Sequence, residues 1–527
     1  MKEKNSFLKS AFLPVVLAVL SVASPILYYA ARATWVFIDL TTNIEKFTFI
    51  LLYVMIVNAL VTGILCALRV WKVKEFYLKK AYPVLVVISF LLTSVLFVAA
   101  VIFAVSMLTG ESSQVYQLYL KESLYDGAFF VFLPFAVLFY PLLSSKGKKI
   151  SGAILLVFVA LCVLFRLFPM SEYKITSTPT VINTGEEYSI VFTTNGEGTG
   201  YVEYTYEGKE YKVYDHQGGR MNTDSTIHSV NVPFEHLDNN SYKVGSMRTV
   251  EQYSYGSRTG KTAVSEEYIF TPVTGENMSL LVISDWHTYT SLAKKSISHL
   301  GEYDGVILLG DAVPGVDLEQ QVADNIVKFA GDVSGGTKPV LYVRGNHETR
   351  GVYAGKILDS LGLDEFYYTA NMGDISFVVL DSGEDKDDAH PEYGGMTDYN
   401  TYRADMIKWL EGVETDNDKV ISLSHSWKIS DVEQELSDKG WDELSRLGVK
   451  LMISGHNHDC RLVGDSEDER EKQVMSSHPD ITAYIDGGHM NDGEDYIASK
   501  ITLDEKAIEI EACNSSGERV FEHSVKW

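Results

Sequence analysis

The sequence predicts a chain in three parts: a helical membrane block over residues 1–170, a small β-sandwich over 171–274 and an α/β domain over 275–527. Three observations carry that division. Long apolar runs crowd the first 170 residues; short period-two segments separated by Gly, Asn and Asp follow; β-branched apolar runs alternating with helical stretches fill the rest. Charge divides at the same place. The 527 residues carry a net charge of −25, but residues 1–169 hold 15 Lys and Arg against 7 Asp and Glu, and the remainder 30 against 63. Nucleic-acid affinity comes mainly from Lys and Arg, so no nucleic-acid partner is expected of so acidic a part. Any anionic substrate must be held locally.

Apolar runs of spanning length, roughly 20 residues, occur near 10–31, 47–69, 82–108, 127–144 and 150–169, giving about five transmembrane helices. The fourth, "GAFFVFLPFAVLFYPLL", is the shortest and carries two prolines. Lys2, Lys4, Lys9, Arg69, Lys72, Lys74, Lys79, Lys80, Lys146, Lys148 and Lys149 flank one side of the spans, and only Arg32, Lys46 and Lys121 the other. By the positive-inside rule the N-terminus is cytoplasmic, and five spans then place everything after residue 170 outside the cytoplasm. The expectation is a multi-pass cell-membrane protein with an extracytoplasmic soluble part. A cleaved signal peptide ending near "SVAS" is the competing reading of the first run; its apolar stretch continues past Pro25 to Ala31, which favours a retained helix. No span contains an acidic residue, and Arg166 lies near an end where it can snorkel. Transport is disfavoured, leaving an anchor or lipid binding between the helices. Four cysteines make no disulfide framework: Cys66 and Cys162 sit in apolar runs, and pairing of Cys460 with Cys513 is left open.

In the second part, "EYSIVFTT", "GYVEYTYEG", "KEYKVYDH", "TIHSVNVPF" and "SYKVGSMRT" alternate with period two, as strands of a small sandwich do. No catalytic constellation occurs here. A spacer or packing partner is the first expectation, a glycan- or wall-binding module the second. The stretch "TGYVEYTYEGKEYKVYD" resembles the fibronectin-like domain that precedes the catalytic domain of purple acid phosphatases.

In the third part, "LLVIS", "GVILL", "PVLYV", "ISFVVLD", "VISLS" and "KLMIS" alternate with helical stretches at 317–330, 401–412 and 431–447. Such strands are buried on both faces of an α/β sheet, and ligands bind beyond their carboxyl ends. Five of those ends carry polar blocks: Asp285-Trp286-His287, Gly310-Asp311, Gly345-Asn346-His347-Glu348, His425, and Gly455-His456-Asn457-His458. One such block alone is most often a turn. Five in order deliver carboxylate, imidazole and amide groups to one edge.

The ordered set D-x-H, G-D, G-N-H-[DE], H, G-H-x-H resembles the signature of the calcineurin-like metallophosphoesterase superfamily over residues 279–515. The resemblance implies a four-layer α/β/β/α sandwich carrying two metal ions. Asp285, His287 and His458 would hold one ion, Asn346, His425 and His456 the other, with Asp311 bridging. Mixed imidazole and oxygen ligands suit divalent Mn, Fe or Zn better than Ca or Mg, and the amide of Asn346 adds an oxygen without charge. The implied reaction is hydrolysis of phosphate mono- or diesters by a hydroxide shared between the ions, with His347 stabilising or protonating the leaving oxygen.

Two departures narrow the resemblance. Purple acid phosphatases have D-x-G and a tyrosine ligand where this chain has His287 and Pro314, so no purple chromophore is expected. Protein phosphatases continue G-D-x-V-D-R-G, whereas this chain reads "GDAVPGVD", which disfavours that activity and leaves Glu348 as the residue to orient His347. Arg350 is a candidate for substrate phosphate, with a surface ion pair as the alternative. Trp286 is a candidate to flank the substrate, with core packing as the alternative, and His489 in "IDGGHMNDG" a candidate to line the cleft. Asp381 is expected to cap its strand. The substrate would be a small phosphate ester or a lipid- or wall-linked one. The alternative to an enzyme is a membrane sensor or envelope assembly factor that keeps the fold without turnover.

Overall fold

The computed structural model describes residues 12–33, 43–70, 81–109, 172–253, 256–490 and 493–527. The chain divides into two compact units, Met1–Met170 and Ser171–Trp527.

In the first unit the described helices are Phe12–Ala33, Asn43–Val70 and Ala81–Thr109. Two stretches, Ile50–Arg69 and Val84–Ile102, are long and apolar enough to cross a membrane, while Val15–Tyr29 is apolar but shorter. The runs expected at 127–144 and 150–169 lie outside the described residues. Among the described residues, polar side chains meet at the helix contacts beside buried apolar ones such as Leu17, Met55 and Leu96, and many other apolar side chains face out. Ser21 Oγ and Thr62 Oγ1 lie 2.5 Å apart and Asn58 Nδ2 donates to Thr93 Oγ1 at 3.0 Å, all four buried, whereas Leu60, Ile64 and Val95 are exposed. In lipid, buried Ser, Thr and Asn join helices by hydrogen bonds that an apolar solvent does not compete for.

Among its described residues the second unit holds a two-stranded sheet, His216–Gln217 with Arg220–Met221, and two large ones. One has fourteen strands; along its main path Arg519–Lys526, Ala507–Asn514, Asp495–Leu503, Met278–Ile283, Gly305–Leu308, Pro339–Tyr342, Thr180–Asn183, Tyr188–Tyr206, Ser241–Tyr253 and Gly256–Val264 lie side by side. The other runs Tyr368–Met372, Ile375–Leu380, Lys419–Ser424, Val449–Ser454, Thr482–Ile485 and Arg461–Leu462. Strands of the second sheet bury both faces by alternation. Ile375, Phe377, Val379, Ile421, Leu423, Leu451 and Ile453 join the core between the sheets, while Val378, Leu380, Val420 and Met452 pack outward against Met406, Ile407, Leu410, Trp427 and Trp441. Successive side chains of a strand point to opposite faces, so runs such as "ISFVVL" fill two layers at once. This is the α/β domain that the strand runs predict.

Residues 180–270 have an apolar core of their own, formed by Ile190, Phe192, Val202, Val230, Tyr242, Val244 and Phe270 among others. Their sheet is not separate. Thr180–Asn183 runs parallel to Pro339–Tyr342 with Val181 opposite Pro339 and Ile182 opposite Val340, so hydrogen bonding passes from one part into the other. Cys460 and Cys513 are free thiols, with Cys460 Sγ 3.2 Å from the Tyr484 hydroxyl.

Candidate metal centre

Met278–Ile283, Gly305–Leu308 and Pro339–Tyr342 are parallel neighbours in the first sheet, and Lys419–Ser424, Val449–Ser454 and Thr482–Ile485 in the second. Asp285, Asp311 and Asn346 follow the first three; His425, His456 with His458, and Asp486 with His489 follow the other three. The ladder carries on past the strands. Asp285 N donates to Gly310 O at 2.9 Å, His287 N to Asp311 O at 3.0 Å and Gly455 N to His425 O at 2.9 Å. Each polar block therefore sits at a fixed offset from its neighbour.

The turns bend in an unusual way. Asp285, His287, Asp311, His456 and His458 all have positive φ, between 35° and 71°. Such left-handed backbone costs of order 1–3 kcal/mol per non-glycine residue and persists only where the surroundings enforce it. Close approach adds a demand for glycine: a Cβ on Gly345 would lie 2.2 Å from Asp311 Oδ1, and one on Gly455 2.5 Å from Asp285 Oδ2.

Seven candidate ligands and His347 converge. His425 Nε2 lies 3.2 Å from Asp311 Oδ2 and 4.0 Å from Asp285 Oδ1; His287 Nε2 lies 3.7 Å from Asp311 Oδ2, and His458 Nε2 3.6 Å from Asp285 Oδ1. His456 Nδ1 is 3.1 Å from Asn346 Oδ1. His347 Nε2 stands 3.8 Å from Asp311 Oδ2. Two groups have ligand atoms within 4.8 Å of one another around Asp311: His287 with His347, and His425 with His456.

The hydrogen bonding shows what these atoms face. His425 Nδ1 donates to Leu309 O at 2.6 Å, His458 Nδ1 to His489 O at 3.0 Å and His347 Nδ1 to Pro314 O at 2.9 Å. A carbonyl only accepts, so each Nδ1 carries a proton and Nε2 is the nitrogen turned inward, the one that can take up a second proton or a metal ion. The Asn346 amide is satisfied by protein alone when its nitrogen faces His456 Nδ1 (3.1 Å), His425 Nε2 (3.1 Å) and Asp311 Oδ2 (3.3 Å) and its oxygen accepts from Arg350 Nη2 at 2.8 Å; the opposite orientation turns the oxygen toward those three atoms. Asp285 Oδ1 is buried without a hydrogen-bond partner. Lone pairs that point at one another in a buried site need a cation between them. The donor set thus fits divalent metal, and its mixture of imidazole, carboxylate and amide fits a transition ion.

The electrostatics follow from the same crowding. Burial disfavours the charged Asp311 carboxylate, but His425, His347 and His287 outweigh it and hold the carboxyl well below its usual range. Burial pulls His425 down, yet Asp311 and Asp285 prevail and raise it to about 10. Burial drives His287 well below the ordinary histidine value. For the protein alone, a proton on His425 stands where a metal would balance the carboxylates.

Three expectations change. Glu348 does not orient His347. It is fully buried and accepts from the backbone N–H groups of Asp311 (2.8 Å), Ala312 (2.5 Å) and Gly345 (2.9 Å), tying two strand-end turns together; Pro314 O holds the ring instead. Trp286 does not flank a cleft. It is fully buried, donates from Nε1 to Asn325 O at 2.9 Å and packs on Phe329, because it points away from the site between two residues that point into it. Arg350 is no surface ion pair: its guanidinium is mostly buried and bridges to both Glu384 oxygens and to Asp385, with Nη1 3.1 Å from His347 Nε2. Asp381 does cap its strand, accepting from Gly383 N at 2.9 Å, and pairs with buried Arg344 at 2.5 Å.

Glu384 and Asp486 escaped sequence reading. Glu384 lies in a loop with no pattern to mark it. Asp486 had a signal, since it directly follows the strand Thr482–Ile485. Its carboxyl is bound by Ser284 Oγ at 2.9 Å and by Ser499, and burial pushes it up to about 7.

The sequence profile of the calcineurin-like phosphoesterases matches residues 278–460. This family binds divalent metals and hydrolyses phosphoester bonds, and the matched residues form a metallophosphoesterase domain. Among solved structures, the chain is similar to GAP50, described as the anchor in the inner membrane complex of Plasmodium, at 14% identity over 48% of this chain and 89% of that one, with a TM-score of 0.33. It is similar also to a metallophosphoesterase from Sphaerobacter thermophilus (16% identity, 48% and 89% covered, TM-score 0.23) and to a cold-active protein-tyrosine phosphatase of a psychrophilic Shewanella species (11%, 66% and 99%, TM-score 0.24). No curated protein matches the sequence.

Proposed function

We infer, from the calcineurin-like phosphoesterase domain at residues 278–460, that this chain is a membrane-anchored dinuclear metallophosphoesterase acting on phosphate mono- or diesters outside the cytoplasm. The observation that carries the reading is the inward-turned Nε2 atoms of His425 and His458 and the unpartnered Asp285 Oδ1 gathered around Asp311. Asp285, His287 and His458 would hold one ion, Asn346, His425 and His456 the other, and Asp311 both. Divalent ions bound there supply a Lewis acid for the phosphoryl oxygens and a water acidified toward neutral pH.

The chain's own groups do the rest. His347 Nδ1 is fixed on Pro314 O, so the proton this ring exchanges with a leaving oxygen sits on Nε2, on the side of Asp311. Arg350, clamped by Glu384, places Nη1 3.1 Å from His347 Nε2 and 3.3 Å from Nδ1 and so bears on both ring nitrogens. Glu348 fixes the backbone of Asp311 against that of Gly345, so the bridging carboxylate does not drift.

Among the described residues, two helices long and apolar enough to cross a membrane, with buried Ser, Thr and Asn hydrogen-bonded across helix contacts while many apolar side chains face out, support membrane integration. Five spans, a cytoplasmic N-terminus and a fibronectin-like character for residues 171–274 are part of this proposal. The basic bias of the flanks supports the orientation. Helices close to the catalytic unit in sequence favour a lipid- or wall-linked ester over a free one.

The test uses the full chain in detergent, stripped of metal and resupplied with Mn, Zn or Fe. Hydrolysis of bis-p-nitrophenyl phosphate and p-nitrophenyl phosphate is expected to be metal-dependent and to fall more than about 100-fold in Asp311→Asn, since outer partners of ligands alone are worth 10–100-fold. Bound metal without turnover of any phosphoester would favour the sensor or assembly reading instead.

A further inference from the structure

We propose that His489 is a further protein ligand of the ion held by Asp285, His287 and His458. The inference rests on the metal centre argued above and goes beyond the ligand set carried by the strand-end motifs.

A ring nitrogen of His489 lies within 4.8 Å of ring nitrogens of both His287 and His458. The rings are in contact, with centroids 4.1 Å from His458 and 4.8 Å from His287, each edge to face. His489 Nδ1 is 3.1 Å from Asp285 O, and its backbone N donates to the same carbonyl at 3.2 Å. That carbonyl only accepts, so Nδ1 is the protonated nitrogen and Nε2 the one with a lone pair. The device is the one that sets the tautomers of His425, His458 and His347.

The residue is also woven into its neighbours. Its carbonyl receives Nδ1 of His458 at 3.0 Å while its own Nδ1 reaches the carbonyl of Asp285, so two candidate ligands are oriented through it. The backbone makes room for this approach: Gly488 has φ of 65°, and a Cβ there would stand 2.6 Å from Asp285 Cβ.

The two positions are then unequal. One offers three imidazoles with Asp285 and Asp311; the other offers His425, His456, the amide of Asn346 and Asp311. The imidazole-rich position selects zinc or iron over magnesium or calcium more strongly. It also has fewer places open to solvent or substrate.

The experiment is a Zn²⁺ and Co²⁺ titration of the full chain in detergent, competed against a chromogenic chelator, for wild type and His489→Asn. An asparagine amide keeps the hydrogen bond to Asp285 O and removes the Nε2 lone pair. One ion is expected to bind at least about 10-fold more weakly in the variant while the other is unchanged, with the Co²⁺ visible bands of one ion altered. Two ions bound with unchanged affinities and spectrum would overturn this inference and leave the phosphoesterase reading intact. A wild type that binds no ion would overturn both. If His489→Asn does not fold, X-ray absorption of the unsubstituted zinc protein decides: three imidazoles on one ion are expected, and no more than two on either ion refutes the assignment.

Discussion

At the scale of single residues, the geometry of the candidate centre depends on groups outside the candidate ligand set. Gly345 is the clearest. A methyl there would meet Asp311 Oδ1 at 2.2 Å and Glu348 Oε2 at 2.6 Å, so both carboxylates must move. Gly345→Ala is expected to weaken metal binding about 10–100-fold, the range for lost support of a ligand, as read by chelator competition. His228 gives a prediction of another kind, far from the metal. It is fully buried, its Nε2 bonds Thr194 Oγ1 at 3.0 Å and Ser246 Oγ at 3.1 Å, and burial lowers it from 6.5 to about 3. The unfolded chain binds that proton near pH 6.5 and the fold resists it until about 3, so stability drains as pH falls through this window. Asp215, 3.9 Å from His228, works the other way: burial raises it from 3.8 to about 6, so the fold gains a proton first. The two offset each other between about pH 6 and 4, and below 4 only the loss remains. Relative to His228→Gln, the wild type should lose stability steadily from pH 6.5 to 4 in denaturant melts; a constant difference would refute the burial of a neutral ring.

At the scale of elements, the strand ends place the candidate ligands and the loops hold them. The loop after Ile375–Leu380 brings Glu384, 1% exposed, onto Arg350 as a two-oxygen clamp. Removing one partner of a buried pair leaves an uncompensated charge and costs about 3–5 kcal/mol. Glu384→Ala should lose that much in chemical denaturation and loosen His347, which Arg350 braces. Helix Gln434–Arg446 contributes packing rather than chemistry. Trp441, fully buried on the outer face of the second sheet, should cost about 3–5 kcal/mol on truncation to alanine, with metal affinity unchanged.

At the scale of the whole second unit, the β-rich residues 180–270 are joined to the phosphoesterase domain by more than a linker. Besides the strand pairing at Val181 and Ile182, Thr180 Oγ1 donates to Val327 O at 3.0 Å and Tyr242 OH to Gly336 O at 2.6 Å. Glu319 accepts from Thr226 N at 2.7 Å and Ile227 N at 3.1 Å. A shared sheet and shared hydrogen bonds couple unfolding, so calorimetry of the full chain should show residues 171–527 melting in one transition. Two separate transitions for this unit would show that the junction carries little energy.

The strand runs and the polar blocks behind them were legible because both are local. A β-branched run reports a buried strand, and a block at its end reports which edge the side chains reach. That was enough to assemble Asp285, His287, Asp311, Asn346, His425, His456 and His458 into one site and to mark His489 as a residue of its edge. What sequence left open depends on distant partners. Trp286 and His287 are adjacent, yet only packing sends one into the core and the other into the centre. Glu348 sits beside His347 in the chain but reaches the turns of Asp311 and Gly345, and Pro314 takes the role expected of it. The continuation of one sheet from Asn183 to Pro339 is set by hydrogen bonds between segments more than 150 residues apart, which no local pattern records. Sequence determined which chemistry gathers at the strand ends; the tertiary structure decided which lone pairs face inward, because tautomer and orientation follow from the carbonyls that the fold brings against each ring.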